Sequence, residues 1–113
     1  MAIKWSPSPK FLASSAHIAW ASAATLASMC HNLPLGGIAI AVVALALVKE
    51  FVLDLFVIER DTYLGSVIDF IGYMAGLGLG LIAYYHLPTA IATASIGMTT
   101  LAIMDYLFSP ESR

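Results

Sequence analysis

The sequence predicts an all-α membrane protein, built as an antiparallel bundle of four transmembrane helices with both termini in the cytoplasm. Apolar residues make up 60% of the 113 residues and charged residues only 11%, whereas soluble domains have about 25% charged residues. Four apolar stretches each approach the roughly 20 residues that a helix needs to cross a bilayer. The formal net charge of −2 also excludes a basic nucleic-acid-binding domain.

The four predicted helices cover residues 11–31, 35–58, 64–85 and 89–108 of a single transmembrane domain. The first helix ends before Pro34 and the third ends before Pro88. Each of these prolines stands near the beginning of the following helix, where a missing N–H costs little. The second helix ends at a charged cluster, which consists of Glu59, Arg60 and Asp61. Because the connections are short, neighbouring helices are predicted to run antiparallel.

The basic residues predict the orientation of the bundle. Four crossings place both termini and the loop after the second helix on one side. That side carries all five Lys and Arg residues, which are Lys4, Lys10, Lys49, Arg60 and Arg113. The loops on the opposite side contain no Lys or Arg. Since basic residues that flank membrane spans are retained in the cytoplasm, both termini are predicted to be cytoplasmic.

Four polar side chains, His17, Glu50, Asp54 and Asp69, lie at similar predicted depths on three different helices. At 1.5 Å per residue they lie roughly 7–14 Å inside the cytoplasmic boundary. Lys49 is next to them and can reach the interface with its long side chain. Because ionisable residues inside a membrane mark functional sites by default, these five residues are candidates for a polar binding site. The alternative is that they are hydrogen-bonded packing elements between helices.

Small residues share helical faces with these polar residues. In the third predicted helix, Gly65, Gly72, Gly76 and Gly80 recur with Asp69 at spacings of three or four residues. Such a glycine face lets a neighbouring helix approach closely, so Asp69 is predicted to point into a helix–helix interface. Similar faces are predicted in the first helix (Ala13, His17, Ala21, Ala24 and Ser28) and in the second helix (Ala39, Val43, Ala46, Glu50 and Asp54).

The predicted cluster needs a compensating charge. Three carboxylates close together cannot all stay ionised in a low dielectric unless a cation, a neighbouring basic group or a proton offsets them. Carboxylates with one imidazole suit a hard or borderline divalent cation, and they also suit general acid–base work. The sequence does not choose between these chemistries, and it assigns neither a catalytic residue nor a cofactor.

The same residues resemble the VanZ-like group of small membrane proteins, including its YfiM-like branch. That pattern has an early His, then a Lys-Glu-x-x-x-Asp block, then a Gly-Ser-x-x-Asp segment that continues into spaced glycines. The counterparts here are His17, then Lys49, Glu50 and Asp54, then Gly65, Ser66, Asp69, Gly76 and Gly80. Ser14 and Tyr73 stand where the family often has Lys and Asn. The resemblance implies a small envelope or inner-membrane protein of bacteria, linked in some members to glycopeptide resistance, and it implies no particular reaction.

Three functions fit these observations. In the first, the polar residues bind a polar ligand, a cation or a lipid headgroup from the cytoplasmic side. In the second, the chain is a non-catalytic accessory subunit of a larger membrane complex, which suits a protein with almost no extramembrane domain. The third is a small holin-like pore former, against which the charge-free outer half of the bundle argues. The expected partners are the lipid bilayer and other membrane subunits or a second copy of the chain, and no nucleic acid.

Overall fold

A computed structural model describes the backbone of residues 4–57 and 63–113, and the side chains of residues 4–53 and 63–113. The chain forms α1 (Pro9–Cys30), α2 (Leu35–Leu47), a π-helical segment (Val48–Val57), α3 (Tyr63–Tyr85), α4 (Leu87–Phe108) and a short 3₁₀ turn (Pro110–Ser112). The predicted charged cluster of Glu59, Arg60 and Asp61 lies outside the described residues.

Local sequence explains where α1 begins and ends. Ser8 is its N-cap residue, and the Ser8 hydroxyl accepts a hydrogen bond from the backbone N–H of Phe11 at 3.2 Å. After the last turn, Asn32 adopts the left-handed conformation with φ 61°, which commonly terminates helices. The N–H of Leu33 then donates back to the carbonyl oxygen of Ser28 at 3.1 Å. These bonds satisfy backbone groups that a helix terminus leaves open.

The parallel helices α1 and α3 form the central pair of the bundle. Gly72, Gly76 and Gly80 lie against successive positions of α1 that run from His17 to Thr25. Both helices therefore point in the same direction, which is what an intervening antiparallel α2 requires. Among the described residues, α2 and α4 each contact this pair and do not contact each other. The molecule is therefore flat, with its shortest dimension only 15 Å.

Three of the described helical stretches are long and apolar enough to cross a membrane: Leu35–Leu53, Tyr63–Tyr85 and Leu87–Phe108. The α1 helix has 22 residues and is long enough, but its serines, Lys10 and His17 lower its mean hydropathy. Three of the four predicted spans are thus supported by length and composition. The crossing of the membrane by α1 stays a prediction.

The second helix differs from the expected one in two ways. Its buried face consists of Ile38, Val42 and Ala46, whereas the predicted face included Ala39 and Val43, which are only half-buried. The buried residues recur every four positions, and the next step of four reaches Glu50. From Val48 to Val57 the helix is π-helical, with wider turns than an α-helix. Hydrophobic periodicity alone did not predict this change of helix type.

Candidate functional site

His17 of α1 lies between two carboxylates that come from different parts of the chain. Its Nε2 is 4.0 Å from Oε1 of Glu50, in the π-helical segment, and its Nδ1 is 3.5 Å from Oδ1 of Asp69, in α3. One potential ligand atom from each residue lies within 4.8 Å of the other two. Three helical segments therefore bring these three groups together. The sequence predicted that they would lie in one layer, from their similar depth in the membrane and from the helical faces that they share with small residues.

This cluster is largely removed from solvent. The Glu50 side chain is 0% exposed, and the side chains of His17 and Asp69 are 16% and 19% exposed. Lys49 lies beside them, with its Nζ 3.5 Å from Oε1 of Glu50, and its side chain is 44% exposed. Ionised groups at such a position need close partners of opposite charge, because burial removes their hydration.

The backbone of Glu50 is held by a residue of α3. The hydroxyl of Ser66 donates a hydrogen bond to the backbone carbonyl oxygen of Glu50 at 2.8 Å, and both residues are fully buried. Ser66 precedes Asp69 by three positions, so the two side chains share a face of α3. One face of α3 therefore supplies the Asp69 carboxylate and also, through Ser66, positions the backbone of Glu50.

Tyr73 supports the imidazole ring. Its ring stacks on that of His17 with centroids 4.6 Å apart and planes inclined by 26°, and Trp20 packs edge-on against Tyr73 at 5.8 Å. Tyr73 is buried, with 7% exposure, and it follows Asp69 by four positions on the same face of α3. This stacking restricts the orientation of the His17 ring, and hence the directions in which its two nitrogens point.

The glycines of α3 set the distance between α1 and α3. A Cβ added to Gly80 would lie 2.7 Å from the carbonyl oxygen of Ser22 and 2.8 Å from the Cβ of Thr25. At Gly72 the same atom would lie 3.6 Å from the Cβ of His17, which is ordinary contact. The two helices therefore approach each other most closely at Gly76 and Gly80, which follow the polar cluster along α3. Gly65, at the first turn of α3, is half-buried.

The structure brings together four of the five predicted polar residues: His17, Lys49, Glu50 and Asp69. The backbone of the fifth, Asp54, belongs to the π-helical segment, and its side chain lies outside the described residues. Sequence reasoning did not assign site roles to Ser66 and Tyr73. Their spacing from Asp69 on one helical face is the signal that could have indicated them.

A groove adjoins the cluster on one side. This lateral groove has a volume of about 370 Å³. It lies between α1, α3 and the junction of α2 with the π-helical segment, and its main lining residues are Trp20, Leu45, Val48, Lys49, Leu53 and Tyr73. Lys49 and Tyr73 each line the groove and also contact a residue of the cluster. Lys49 and Tyr73 therefore stand between the groove and the polar cluster.

A second polar network joins the beginning of α1 to the last turn of α4. The Asp105 carboxylate accepts hydrogen bonds from the Ser8 hydroxyl, from the Ser8 backbone N–H at 3.1 Å and from Nε1 of Trp5 at 3.1 Å. The hydroxyl of Ser112 donates to the backbone oxygen of Asp105 at 2.8 Å. Both ends of the described chain are thus fastened at the same end of the bundle. The sequence analysis did not predict this network. Its sequence signal was Asp105, an acidic residue in a helix that is otherwise uncharged.

Comparisons of this chain with protein families, with curated proteins and with solved structures find no match.

Proposed function

We propose that this chain is a multi-pass protein of the VanZ-like type in the bacterial inner membrane, and that His17, Glu50 and Asp69 bind a divalent cation near its cytoplasmic face. The observation that carries the proposal is that an imidazole and two carboxylates from separate helical segments converge to within 4.8 Å. The resemblance of the sequence motifs and the distribution of basic residues support the family and the orientation.

The distances within the cluster suit a bound cation. Zinc bonds to His nitrogen and carboxylate oxygen are about 2.0–2.2 Å long and are arranged tetrahedrally, so two ligand atoms of one ion are about 3.3–3.6 Å apart. The ligand atoms of the cluster, all within 4.8 Å of one another, need to move toward the ion by about 1 Å or less. Changes of side-chain torsion angles are sufficient for such a movement.

The chemistry of the ligands narrows the choice of ion. Imidazole suits first-row metals such as zinc, whereas carboxylates also suit manganese, magnesium and calcium. One imidazole with two carboxylates therefore favours a borderline ion such as Zn²⁺ or Mn²⁺ over Ca²⁺. Three protein ligands leave coordination positions for water or for another ligand, as in zinc sites that are not purely structural.

A bound cation would also balance the negative charge of the cluster. Glu50 and Asp69 carry two negative charges in a largely buried place, and Lys49 offsets one of them. A divalent ion within bonding distance of both carboxylates supplies the remaining compensation. It also replaces the hydration that both groups lose on burial. Without an ion, the same compensation requires a proton on His17 or on a carboxyl.

Calorimetry with Zn²⁺ tests the proposal. The protein, purified in detergent and stripped of metal with a chelator, is expected to bind one Zn²⁺ per chain. Asp69→Asn keeps the shape of the side chain and is expected to weaken Zn²⁺ binding by at least about tenfold, since even loss of an outer-shell partner costs about 10–100-fold. Glu111→Gln is the matched control, because Glu111 is exposed and lies outside the cluster.

Two outcomes would overturn the proposal. One is a wild-type protein that binds no Zn²⁺ or Mn²⁺ in a stoichiometric manner. The other is equal binding by the Asp69→Asn and Glu111→Gln proteins. Either result, combined with a lower melting temperature for Asp69→Asn, would assign His17, Glu50 and Asp69 to helix packing alone.

The exposure of α4 favours a second candidate function, that of an accessory subunit. Ala90 and Asp105 are the buried residues of this helix, and α4 leaves most of its surface uncovered. Small residues at such a surface, among them Gly97, allow close packing of a helix from another membrane chain. The mass of the protein in mild detergent tests this candidate. Stable association with other chains supports the accessory role, and a monomer contradicts it.

A further inference from the structure

The lateral groove opens beside the proposed cation site and is not used by it. Its walls are apolar, and Leu45, Val48 and Leu53 are 56%, 49% and 38% exposed. All three belong to a stretch that is long and apolar enough to cross a membrane. In a bilayer these side chains face hydrocarbon, so the groove suits a hydrocarbon chain better than it suits water.

One charged residue stands in this apolar lining. Lys49 is the single charged residue among those that line the groove in the described part of the chain. Its Nζ is 3.5 Å from Oε1 of Glu50, so the ammonium group lies at the boundary between groove and cluster. An occupant with an apolar chain and a negatively charged group would complement both features.

The charge of the cluster changes sign when a cation binds. Among the groups whose side chains the structure describes, the carboxylates of Glu50 and Asp69 and the ammonium of Lys49 give a net charge of −1 when His17 is neutral. A divalent cation changes this sum to +1. The metal-free cluster therefore repels an anion at the groove, and the metal-loaded cluster attracts one. Lys49 then also loses much of its attraction to Glu50, whose charge the cation compensates.

We propose that the lateral groove binds an anionic phospholipid, with an acyl chain against Leu45, Val48 and Leu53 and the phosphate at Lys49. This inference rests on the proposed cation site, because the cation supplies the net positive charge. A free anion does not explain the apolar walls. A zwitterionic lipid has no net charge and is attracted less strongly by the positive charge. By thermodynamic linkage, the cation and the lipid each raise the affinity for the other.

Trp20 serves as a built-in reporter of this groove. The chain has two tryptophans, and Trp5→Phe leaves Trp20, which lines the groove, as the only one. The protein is reconstituted in vesicles of phosphatidylglycerol and phosphatidylcholine at one fixed ratio, with brominated chains on one lipid or on the other. Bromine quenches tryptophan fluorescence at short range. With Zn²⁺ present, we expect brominated phosphatidylglycerol to quench Trp20 more than the lipid ratio predicts.

Variants that change the charge at Lys49 test whether this residue causes the excess quenching. Lys49→Gln is expected to abolish the excess quenching, and Lys49→Arg is expected to retain it. Lys10→Gln is the matched control, since it removes a positive charge from an exposed residue that does not line the groove. Removal of Zn²⁺ by a chelator is expected to reduce the excess in the Trp5→Phe protein. Should Lys49→Gln fail to fold, the comparison with and without Zn²⁺ decides the question.

Three results would overturn the inference. They are equal quenching by the two brominated lipids in Zn²⁺, an excess that does not depend on Zn²⁺, and an equal loss of the excess in Lys10→Gln and Lys49→Gln. Calorimetric Zn²⁺ binding is measured separately in detergent. A protein that binds Zn²⁺ without a lipid preference refutes the inference alone, whereas a protein that binds neither Zn²⁺ nor Mn²⁺ refutes the proposed function.

Discussion

Gly76 of α3 lies directly against Ala21 of α1. A Cβ added to Gly76 would stand 2.7 Å from the Cβ of Ala21 and would overlap the carbonyl oxygen of Ile18. One turn away, Gly72 lies against His17, the central residue of the candidate site. The same helix–helix contact that excludes a side chain at Gly76 therefore determines how far His17 lies from Asp69.

Replacing Gly76 by Leu is expected to lower the free energy of unfolding in detergent by about 1–3 kcal/mol, the usual range for overpacking a close contact. The control is Gly78→Ala, because an added Cβ at Gly78 meets no atom within 4 Å. Alanine is also favoured over glycine in a helix interior by about 1 kcal/mol. Thermal melting followed by circular dichroism compares the two. Equal melting temperatures would show that this face of α3 does not pack against α1.

Replacing Tyr73 by Leu is expected to weaken Zn²⁺ binding by about tenfold, comparable to the loss of other supporting residues around metal ligands. The physical reason is that the stacked ring, 4.6 Å from His17, restricts the imidazole. Tyr73→Phe keeps the ring and is expected to retain the wild-type affinity. Calorimetry measures both variants. A large loss in Tyr73→Phe would mean that the hydroxyl, and not the stacking, supports the site.

Replacing Ser8 by Ala is expected to destabilise the protein by about 0.5–2 kcal/mol, the usual cost of losing an N-cap side chain. The hydroxyl of Ser8 caps α1 and also donates to Asp105, so we expect a value toward the upper end. Ser6→Ala is the control, since Ser6 is exposed. Chemical denaturation in detergent measures the difference. Equal stability of the two variants would show that the Ser8 hydroxyl contributes nothing measurable to the contact between α1 and α4.

Reporter fusions test the predicted orientation. The backbone N–H of Ser6 donates to the carbonyl oxygen of Ser112 at 2.8 Å, so both termini lie at one end of the bundle. A reporter fused after Arg113 is expected to be cytoplasmic, because Lys and Arg residues that flank spans are retained there. A reporter inserted at Asn32 is expected to be periplasmic. A periplasmic signal from the Arg113 fusion would reverse the proposed orientation.

Several features of the fold follow from local sequence. Helix ends near Asn32, Pro34 and Pro88 could be predicted, because left-handed Asn and the missing N–H of Pro act within one turn. The shared face of Gly72 and Gly76 could also be predicted, since helical spacing alone determines which residues are neighbours. The identity of the neighbouring helix could not be read from this spacing. The structure places α1 there.

The candidate site could also be predicted in part from the sequence. Similar depth and shared faces with small residues predicted that His17, Glu50 and Asp69 would lie in one layer, and the structure places them within 4.8 Å of one another. The stacking of Tyr73 on His17 could not be predicted, because it depends on the register between α1 and α3. That register follows from the contacts of both helices and from no single segment.

The sequence by itself determined the membrane-like composition, the order and approximate ends of the helices and the chemical types of the polar residues. These properties depend on each residue and its near neighbours along the chain. Only the tertiary structure decided that Glu50 lies in a π-helical segment and that Asp105 binds Ser8 across the whole length of the sequence. Such contacts depend on how complete helices pack together, because a small rotation of one helix about its axis changes every side-chain partner that it meets.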